Sequence, residues 1–385
     1  MTDVVLVDGA RTAHGALLGA LSDASAVDLG TAAVQGLLDR TGVDTVDWVG
    51  LGNAVQAGVG QVPARQVVVE SDLPNDVAAT TLNEASGSGL RAITTAVDRI
   101  QAGRAEVAIA GGMESMSNAP YLVREMRKGR RHGDTTLTDS MIHDALWDGN
   151  VDAHMGELTE ALVDRFDISR EAQDEYALRS NRRAAASVTE GAFSEEITPV
   201  EVGNHLVTED EGPRADTSME DLARLRPAFA DEGTITPGNA SKLSDGAGCV
   251  LIASAEAAEA AGLGPMAHVE DYAVVYNDPE WWSISVGDAV EQLLERNGLA
   301  VDDVDHYELN EAFAAQMVYV RDRLDIPEER LNPRGGAVAL GHPIGASGGI
   351  ITTTLAYAME HDDAEYGVVG MSIGGGGAIM MLLRR

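Results

Sequence analysis

The sequence predicts an α/β fold made of two similar halves with a different region between them. Three observations support this prediction. Apolar, β-branched segments alternate with amphipathic helical segments near both ends of the chain, as in layered α/β proteins. A shift of 259 residues places one loop, helix and strand on another. The region from about 119 to 244 is rich in charge, methionine and arginine and does not repeat.

The first half begins with a strand, a helix and a second strand. Residues 4–7 are apolar and β-branched, which predicts a strand, whereas residues 26–38 place their apolar side chains at helical spacing. Residues 46–50 predict the next strand, and a Gly-rich stretch follows them. This order of elements is the beginning of an α/β layer.

The repeated unit consists of a loop, a helix and a short strand. Apolar residues at helical spacing predict a helix over 88–101, and residues 106–110 predict a buried strand. Residues 88–111 match residues 347–370 at seven of 24 positions, among them Ser88 with Ser347. We therefore expect a duplication, with residues 1–118 plus about 245–264 as one half, 265–385 as the other, and 119–244 as an inserted loop domain.

The composition excludes several classes of protein. A formal charge of -35 disfavours nucleic-acid binding, because such a surface repels phosphates. The sequence predicts no membrane-spanning segment and no signal peptide, and its single cysteine fits a reducing cytoplasm. We expect a cytoplasmic protein of a halophilic archaeon, because salt screens self-repulsion; an acidic mesophilic protein is the alternative.

Ser86 is the first candidate for chemistry. Residues 83–90 read Asn-Glu-Ala-Ser-Gly-Ser-Gly-Leu, a turn that leads into the helix at Ser88. Backbone N–H groups and the helix dipole face a residue at such a place, but a serine hydroxyl also needs a base at hydrogen-bonding distance. The alternative is that Ser86 is a helix N-cap.

His342 and Asn310 are the partners that the sequence offers to Ser86. His342 lies in a Gly- and Pro-rich loop before a helix, and the 259-residue shift places it on Asn83, so the two turns are expected to face one cleft. Asn310 follows a short strand, and it is either an N-cap or part of an oxyanion hole.

Three other motifs have weaker interpretations. The run 374–377 is all glycine, but no helix follows it, so a tight strand connection is favoured over a phosphate loop. Residues 345–349 match G-x-S-x-G, but only His361 follows them as a hydrolase base. No metal-ligand spacing is present in the sequence, and no metal is expected.

Motifs along nearly the whole chain resemble those of the thiolase family, in particular its acetyl-CoA acetyltransferase branch. They occur in the family's order and spacing, and they include the Asn310 and His342 segments. The others are 10–12 (Ala-Arg-Thr), 52–58 (Gly-Asn-Ala-Val-Gln-Ala-Gly), 63–66 (Pro-Ala-Arg-Gln), 111–117 (Gly-Gly-Met-Glu-Ser-Met-Ser), 154–156 (His-Met-Gly), 225–229 (Leu-Arg-Pro-Ala-Phe), 238–241 (Gly-Asn-Ala-Ser) and 244–247 (Ser-Asp-Gly-Ala).

The resemblance implies a five-layered αβαβα core and a β-ketothiolase activity on coenzyme A thioesters, with no tightly bound cofactor. Serine stands at both positions where the family has a reactive cysteine: Ser86 as nucleophile and Ser372 as second acid/base. His342 and Asn310 are the other catalytic residues, and the N–H groups of Ser86 and Gly374 hold the acyl oxygen. The coenzyme A residues implied are Arg214, Ser241 and His154.

Two hypotheses about function remain open at this point. The first is an active enzyme that forms an acyl-Ser86 ester with His342 as base, in which case Ser372 is a poor base for a C–H proton. The second is an inactive scaffold that binds coenzyme A. The resemblance also implies a homodimer or homotetramer with contacts through 120–136, and a small zinc-ribbon/OB-fold partner subunit in some archaeal relatives.

Overall fold

The computed structural model describes residues 2–385, in which ten strands join into one mixed sheet. Within these residues the helices are α1 (Ala26–Thr41), α2 (Pro63–Glu70), α3 (Ser88–Gln101), α4 (Met155–Phe166), α5 (Arg170–Glu190), α6 (Met219–Ala223), α7 (Ala255–Ala260), α8 (Ile284–Asn297), α9 (Ala314–Leu324) and α10 (Ser347–His361).

The strands of the large sheet are β1 (Val4–Arg11), β2 (Gly15–Ala16), β3 (Trp48–Gly52), β4 (Ala78–Leu82), β5 (Val107–Ser115), β12 (Ser244–Ser254), β13 (Ala267–Tyr276), β14 (His306–Leu309), β15 (Tyr366–Ile373) and β16 (Gly377–Arg384). Three small hairpins comprise β6 (Tyr121–Leu122) with β7 (Thr138–Asp139), β8 (Trp147–Asp148) with β9 (Ala153–His154), and β10 (Val200–Val202) with β11 (His205–Val207).

The two halves of the sheet follow the same plan. In the first half β3 is parallel to β5, which is antiparallel to β12, which is antiparallel to β1. In the second half β14, β15, β16 and β13 are joined by the same sequence of one parallel and two antiparallel pairings. The 259-residue shift carries Ser88 to Ser347 and Val107 to Tyr366, which are the first residues of α3 and α10 and of β5 and β15.

The elements stack in five layers. Helices α3 and α10 lie in the middle and pack against both halves of the sheet, while α1 and α2 cover one outer face and α8 and α9 cover the other. Strand β1 shows why the sequence folds this way. Val4 and Leu6 face the central helices, whereas Val5 and Val7 face the outer ones, so an unbroken apolar run is buried on both sides. The predicted duplicated α/β fold is confirmed.

A buried ion cluster ties the inserted region to the first strand. Arg11, at the end of β1, pairs with Glu196 at 2.6 Å and with Asp210 at 2.8 Å. Burial alone would raise the pKa of Asp210, but the charges and hydrogen bonds of Arg11 and His14 together outweigh burial and hold that pKa well below its ordinary range. The same carboxylate contacts His14 Nδ1 at 2.9 Å, so the cluster reaches the neighbourhood of His342. The outline of the inserted region, 119–244, stays a prediction.

None of the helices in residues 2–385 has the length and the apolar character that a bilayer crossing requires.

Candidate active site

Ser86 lies on a strained turn immediately before α3. Ala85 has φ +51°, a left-handed conformation that is costly for a residue with a Cβ. The N-cap of α3 is Gly87, so the interpretation of Ser86 as a helix cap is wrong. Ser88 holds the turn instead, since its hydroxyl donates to Ala85 O at 2.6 Å and accepts from Glu84 N at 2.8 Å. The Ser86 hydroxyl is thereby left available for another partner.

That partner is His342, which comes from the other half of the chain. Ser86 Oγ and His342 Nε2 are 2.9 Å apart although the residues are separated by 256 positions. The mirrored placement of the two loops before α3 and α10 brings them together. A hydroxyl and an imidazole at this distance have the geometry of a nucleophile and its base.

Ser347 orients the imidazole of His342. Its Oγ lies 2.6 Å from His342 Nδ1 and also donates to Pro343 O at 3.1 Å. Because the Ser347 hydrogen goes to the carbonyl, the oxygen accepts the Nδ1 hydrogen, and Nε2 is left free to accept from Ser86. This residue was part of the repeat in the sequence, but no role was predicted for it.

Burial keeps the imidazole neutral. Burial, and to a lesser degree the nearby His14, lowers the pKa of His342 to about 3. At neutral pH the side chain is therefore unprotonated and able to accept a proton, although it is a weaker base than a solvent-exposed histidine.

Asn310 contacts the same imidazole. Its Nδ2 is 3.4 Å from His342 Nε2, and its backbone N donates to Gly370 O at 2.9 Å. The Oδ1 atom is buried and has no hydrogen-bond partner among residues 2–385. The alternative of Asn310 as an N-cap is wrong, because α9 begins only at Ala314. A buried amide oxygen without a partner is suited to hold a water or a substrate group.

A buried carboxylate fixes the loop that carries His342. Glu114, at the end of β5, accepts hydrogen bonds from Gly345 N at 2.8 Å, Ala54 N at 2.9 Å, Val55 N at 3.2 Å and the Asn53 side chain at 2.6 Å. Burial raises the pKa of Glu114 to about 7, although these bonds favour the ionised form. The sequence marked residues 111–117 as a motif but gave Glu114 no function.

Ser86, His342, Ser372 and Gly374 line one open cleft with about 490 Å³ of space free of protein atoms. Most of the remaining wall is apolar: Ala85, Ala145, Leu146, Met155, Trp282, Ala312, Phe313, Ile344 and Ile373. Within the described part of the chain, His342 is the only titratable side chain that lines this cleft. No carboxylate or lysine is available there as a second base.

The three residues expected to bind coenzyme A lie in different places. Ser241 lines the cleft of Ser86, whereas Arg214 lines a second cleft together with Lys242. Ser241 and Lys242 are consecutive, so neighbouring residues of the chain line the two clefts. His154 lines neither; its Nδ1 accepts from Gly156 N at 3.0 Å at the start of α4, and its ring stacks on Phe229 at 4.8 Å.

Lys242 joins two loops. Its Nζ donates to Gly212 O and to Ala339 O. Burial, followed by the charge of Arg214, lowers the pKa of Lys242 to about 8. Lys242 is one of only two lysines in the sequence, and no function was predicted for it. Cys249, by contrast, is buried in β12, and burial raises its pKa to about 12, which makes it a poor nucleophile.

Comparison with known proteins places the whole chain in one family. Residues 4–256 match the N-terminal domain of thiolase, and residues 263–385 match its C-terminal domain. A probable acetyl-CoA acetyltransferase of Escherichia coli (strain K12) is 44% identical over 391 residues and 100% of both chains.

Two solved structures are similar over nearly their full length. The acetyl-CoA acetyltransferase of Bacillus anthracis has a TM-score of 0.97 at 36% identity, covering 100% of this chain and 99% of that one. The human mitochondrial 3-ketoacyl-CoA thiolase, solved in complex with CoA, has a TM-score of 0.96 at 38% identity, with 100% and 98% covered. The chain belongs to the thiolase family.

Proposed function

We propose that the protein is a β-ketothiolase that transfers acyl groups to and from coenzyme A through an ester on Ser86. The hydrogen bond of 2.9 Å between Ser86 and His342 is the observation that carries this proposal. The similar proteins named acetyl-CoA acetyltransferase, at up to 44% identity, support the reaction type.

Acyl transfer begins with attack of Ser86 Oγ on the thioester carbonyl. His342 Nε2 takes the hydroxyl proton, and Ser347 Oγ accepts from Nδ1 of the resulting imidazolium. The C–S bond breaks, the proton passes to the departing thiolate, and an oxygen ester remains on Ser86. The N–H groups of Ser86 and Gly374 hold the acyl oxygen in this proposal, since both residues line the cleft.

The carbon-acid step is assigned to His342 as well. Ser372 lines the cleft, but an unperturbed hydroxyl is a poor base for a C–H proton. His342 is the one titratable side chain lining that cleft in residues 2–385, so it is the available base for both half-reactions. In this proposal the buried Oδ1 of Asn310, which lacks a partner there, accepts one hydrogen of a water, and the other hydrogen of that water and the Nε2–H of protonated His342 donate to the second oxyanion.

Coenzyme A is placed across the two clefts. Arg214 and Lys242 supply positive charge for its phosphates in the second cleft. Ser241 lies where the pantetheine arm enters the cleft of Ser86. His154 supports this arm indirectly, through its stacking on Phe229. The chain of human 3-ketoacyl-CoA thiolase that this protein resembles was solved with CoA.

We propose that the protein is adapted to the salt-rich cytoplasm of a halophilic archaeon, where salt screens the repulsion within a net charge of -35. A homodimer or homotetramer, with or without a small zinc-ribbon/OB-fold subunit, is the proposed assembly.

Thiolysis of acetoacetyl-CoA in high salt tests the proposed function. The unaltered protein and Ser86→Cys are expected to turn over, whereas Ser86→Ala is expected to be inactive, because it keeps the fold and loses the nucleophile. Full activity of Ser86→Ala would refute the assignment of the nucleophile. Binding of CoA without turnover by every variant, with and without the partner subunit, would favour the scaffold hypothesis.

A further inference from the structure

We propose that Trp282 closes one end of the catalytic cleft and restricts the substrates to short acyl chains of the acetyl and acetoacetyl class. This inference rests on the acyl-transfer function proposed above and adds its substrate range. It is carried by the position of the indole, by the packing that immobilises the indole and by the apolar side chains that line the cleft around it.

The segment that carries Trp282 is clamped to the turn that carries Gly374. Asn277 N donates to Gly376 O at 2.9 Å, and Ser285 Oγ donates to the same carbonyl at 2.6 Å. Gly376 has φ +94°, and a Cβ there would lie 2.3 Å from Asn277 O, so the approach requires glycine. These hydrogen bonds therefore hold Trp282 at the side of the cleft where β15, the strand that contains Ser372, ends.

Packing immobilises the indole. Trp282 is only 1% exposed, and its ring meets the edge of Phe313 at 6.1 Å. Phe313 in turn meets Phe229 edge-on at 6.1 Å, and Leu158 belongs to the same buried cluster. A side chain held by interlocked aromatic rings does not swing aside to admit a longer ligand without loss of these contacts.

The wall of the cleft around Trp282 is apolar. Met155, Ala312 and Phe313 line the cleft and belong to the same buried cluster as the indole, so an alkyl chain finds an apolar surface there whose extent the indole limits. One methylene that an apolar pocket admits or excludes changes kcat/KM roughly 10- to 200-fold. The size of residue 282 therefore sets the length of acyl chain that reacts.

Replacement of Trp282 removes packing and no hydrogen bond. Its Nε1 is buried and has no acceptor in the part of the chain that the structure describes, residues 2–385. The neighbouring Trp281 is a matched control, because it is half-buried against Arg165 at 4.2 Å and does not line the cleft.

The test compares kcat/KM for thiolysis of acetoacetyl-CoA and 3-ketooctanoyl-CoA. In the unaltered enzyme the shorter substrate is expected to be preferred at least roughly tenfold. Trp282→Ala is expected to shift this ratio toward the longer substrate by roughly tenfold or more, and Trp281→Ala to leave it unchanged. Trp282→Met, which keeps more of the apolar volume, is expected to give an intermediate shift and serves if the alanine variant does not fold.

An unchanged ratio in a folded Trp282 variant, or a preference of the unaltered enzyme for the longer substrate, would overturn the role of Trp282 and leave the proposed function intact. Absence of thiolysis of every 3-ketoacyl-CoA by the unaltered enzyme would overturn both.

Discussion

Replacement of Ser347 by alanine tests the idea that catalysis depends on the orientation of His342. Ser347 Oγ is the only hydrogen-bond partner of His342 Nδ1 within the described residues, at 2.6 Å, and both side chains are buried. The substitution leaves a buried N–H without an acceptor and removes the reason for the Nδ1 hydrogen to remain there. It also removes the group that stabilises the imidazolium formed during acylation.

The size of the effect follows from this lost contact. A buried donor left without a partner costs about 1–3 kcal/mol. If the loss falls on the transition state, kcat/KM decreases roughly 5- to 150-fold. Pro343 O keeps a donor, because Ser347 N also reaches it at 3.0 Å, so the helix start is expected to persist.

Steady-state thiolysis of acetoacetyl-CoA measures this decrease, and a pH profile shows whether the base has changed. Thr352→Val is the matched control, because Thr352 is a buried hydroxyl of the same helix that donates to Gly348 O at 2.6 Å and lies away from His342. Both variants lose one buried hydroxyl, but only Ser347→Ala is expected to lose activity. A kcat/KM for Ser347→Ala within about twofold of the control would refute the reasoning.

Three further predictions address binding, salt and pH. Arg214→Gln is expected to raise the KM for CoA roughly tenfold with little change in kcat, because the proposed charge-assisted contact to phosphate would be lost; a CoA titration that gives an unchanged KM would contradict this. Thermal unfolding measured from about 0.1 M to about 2 M KCl is expected to show a rising midpoint, since salt screens the charge of -35, and a flat midpoint would oppose salt adaptation. Folded Glu114 keeps its proton up to a pKa of about 7, while the unfolded chain loses it near 4.5, so this group makes the unfolding free energy fall as pH rises between those values. Glu114→Gln is expected to remove that contribution, up to about 1.4 kcal/mol per pH unit, and identical pH slopes in urea titrations of both proteins would contradict it.

Local periodicity was sufficient to predict much of the fold. The apolar spacing predicted α3 over the residues that it occupies, 88–101, because one face of this helix is uniformly buried in the central layer. The internal repeat predicted that the loops of Ser86 and His342 face one cleft, and they meet at 2.9 Å. A duplication predicts which distant segments of the chain lie at equivalent places in the fold, whereas a single periodic segment predicts only its own helix or strand.

The parts that escaped prediction depend on contacts between distant segments. Glu114 and Gly345 are 231 positions apart, and the local sequence pattern around either residue does not predict their hydrogen bond. Asn310 was weighed as a helix cap because a helix follows it, but Phe313 pairs with Ala240 in a bridge and delays the helix start to Ala314. Tertiary pairing thus overrode a local preference.

Direct detection of an acetyl group on Ser86 tests the central claim of acyl transfer through a serine ester. The protein is mixed with acetyl-CoA in high salt, quenched, digested and analysed by tandem mass spectrometry, which separates Ser86 from Ser88 in the same peptide. The account predicts acetylation of Ser86 in the unaltered protein, and none at this position in Ser86→Ala. An acetyl group found on another residue, or none in a preparation that turns over acetoacetyl-CoA, would contradict it.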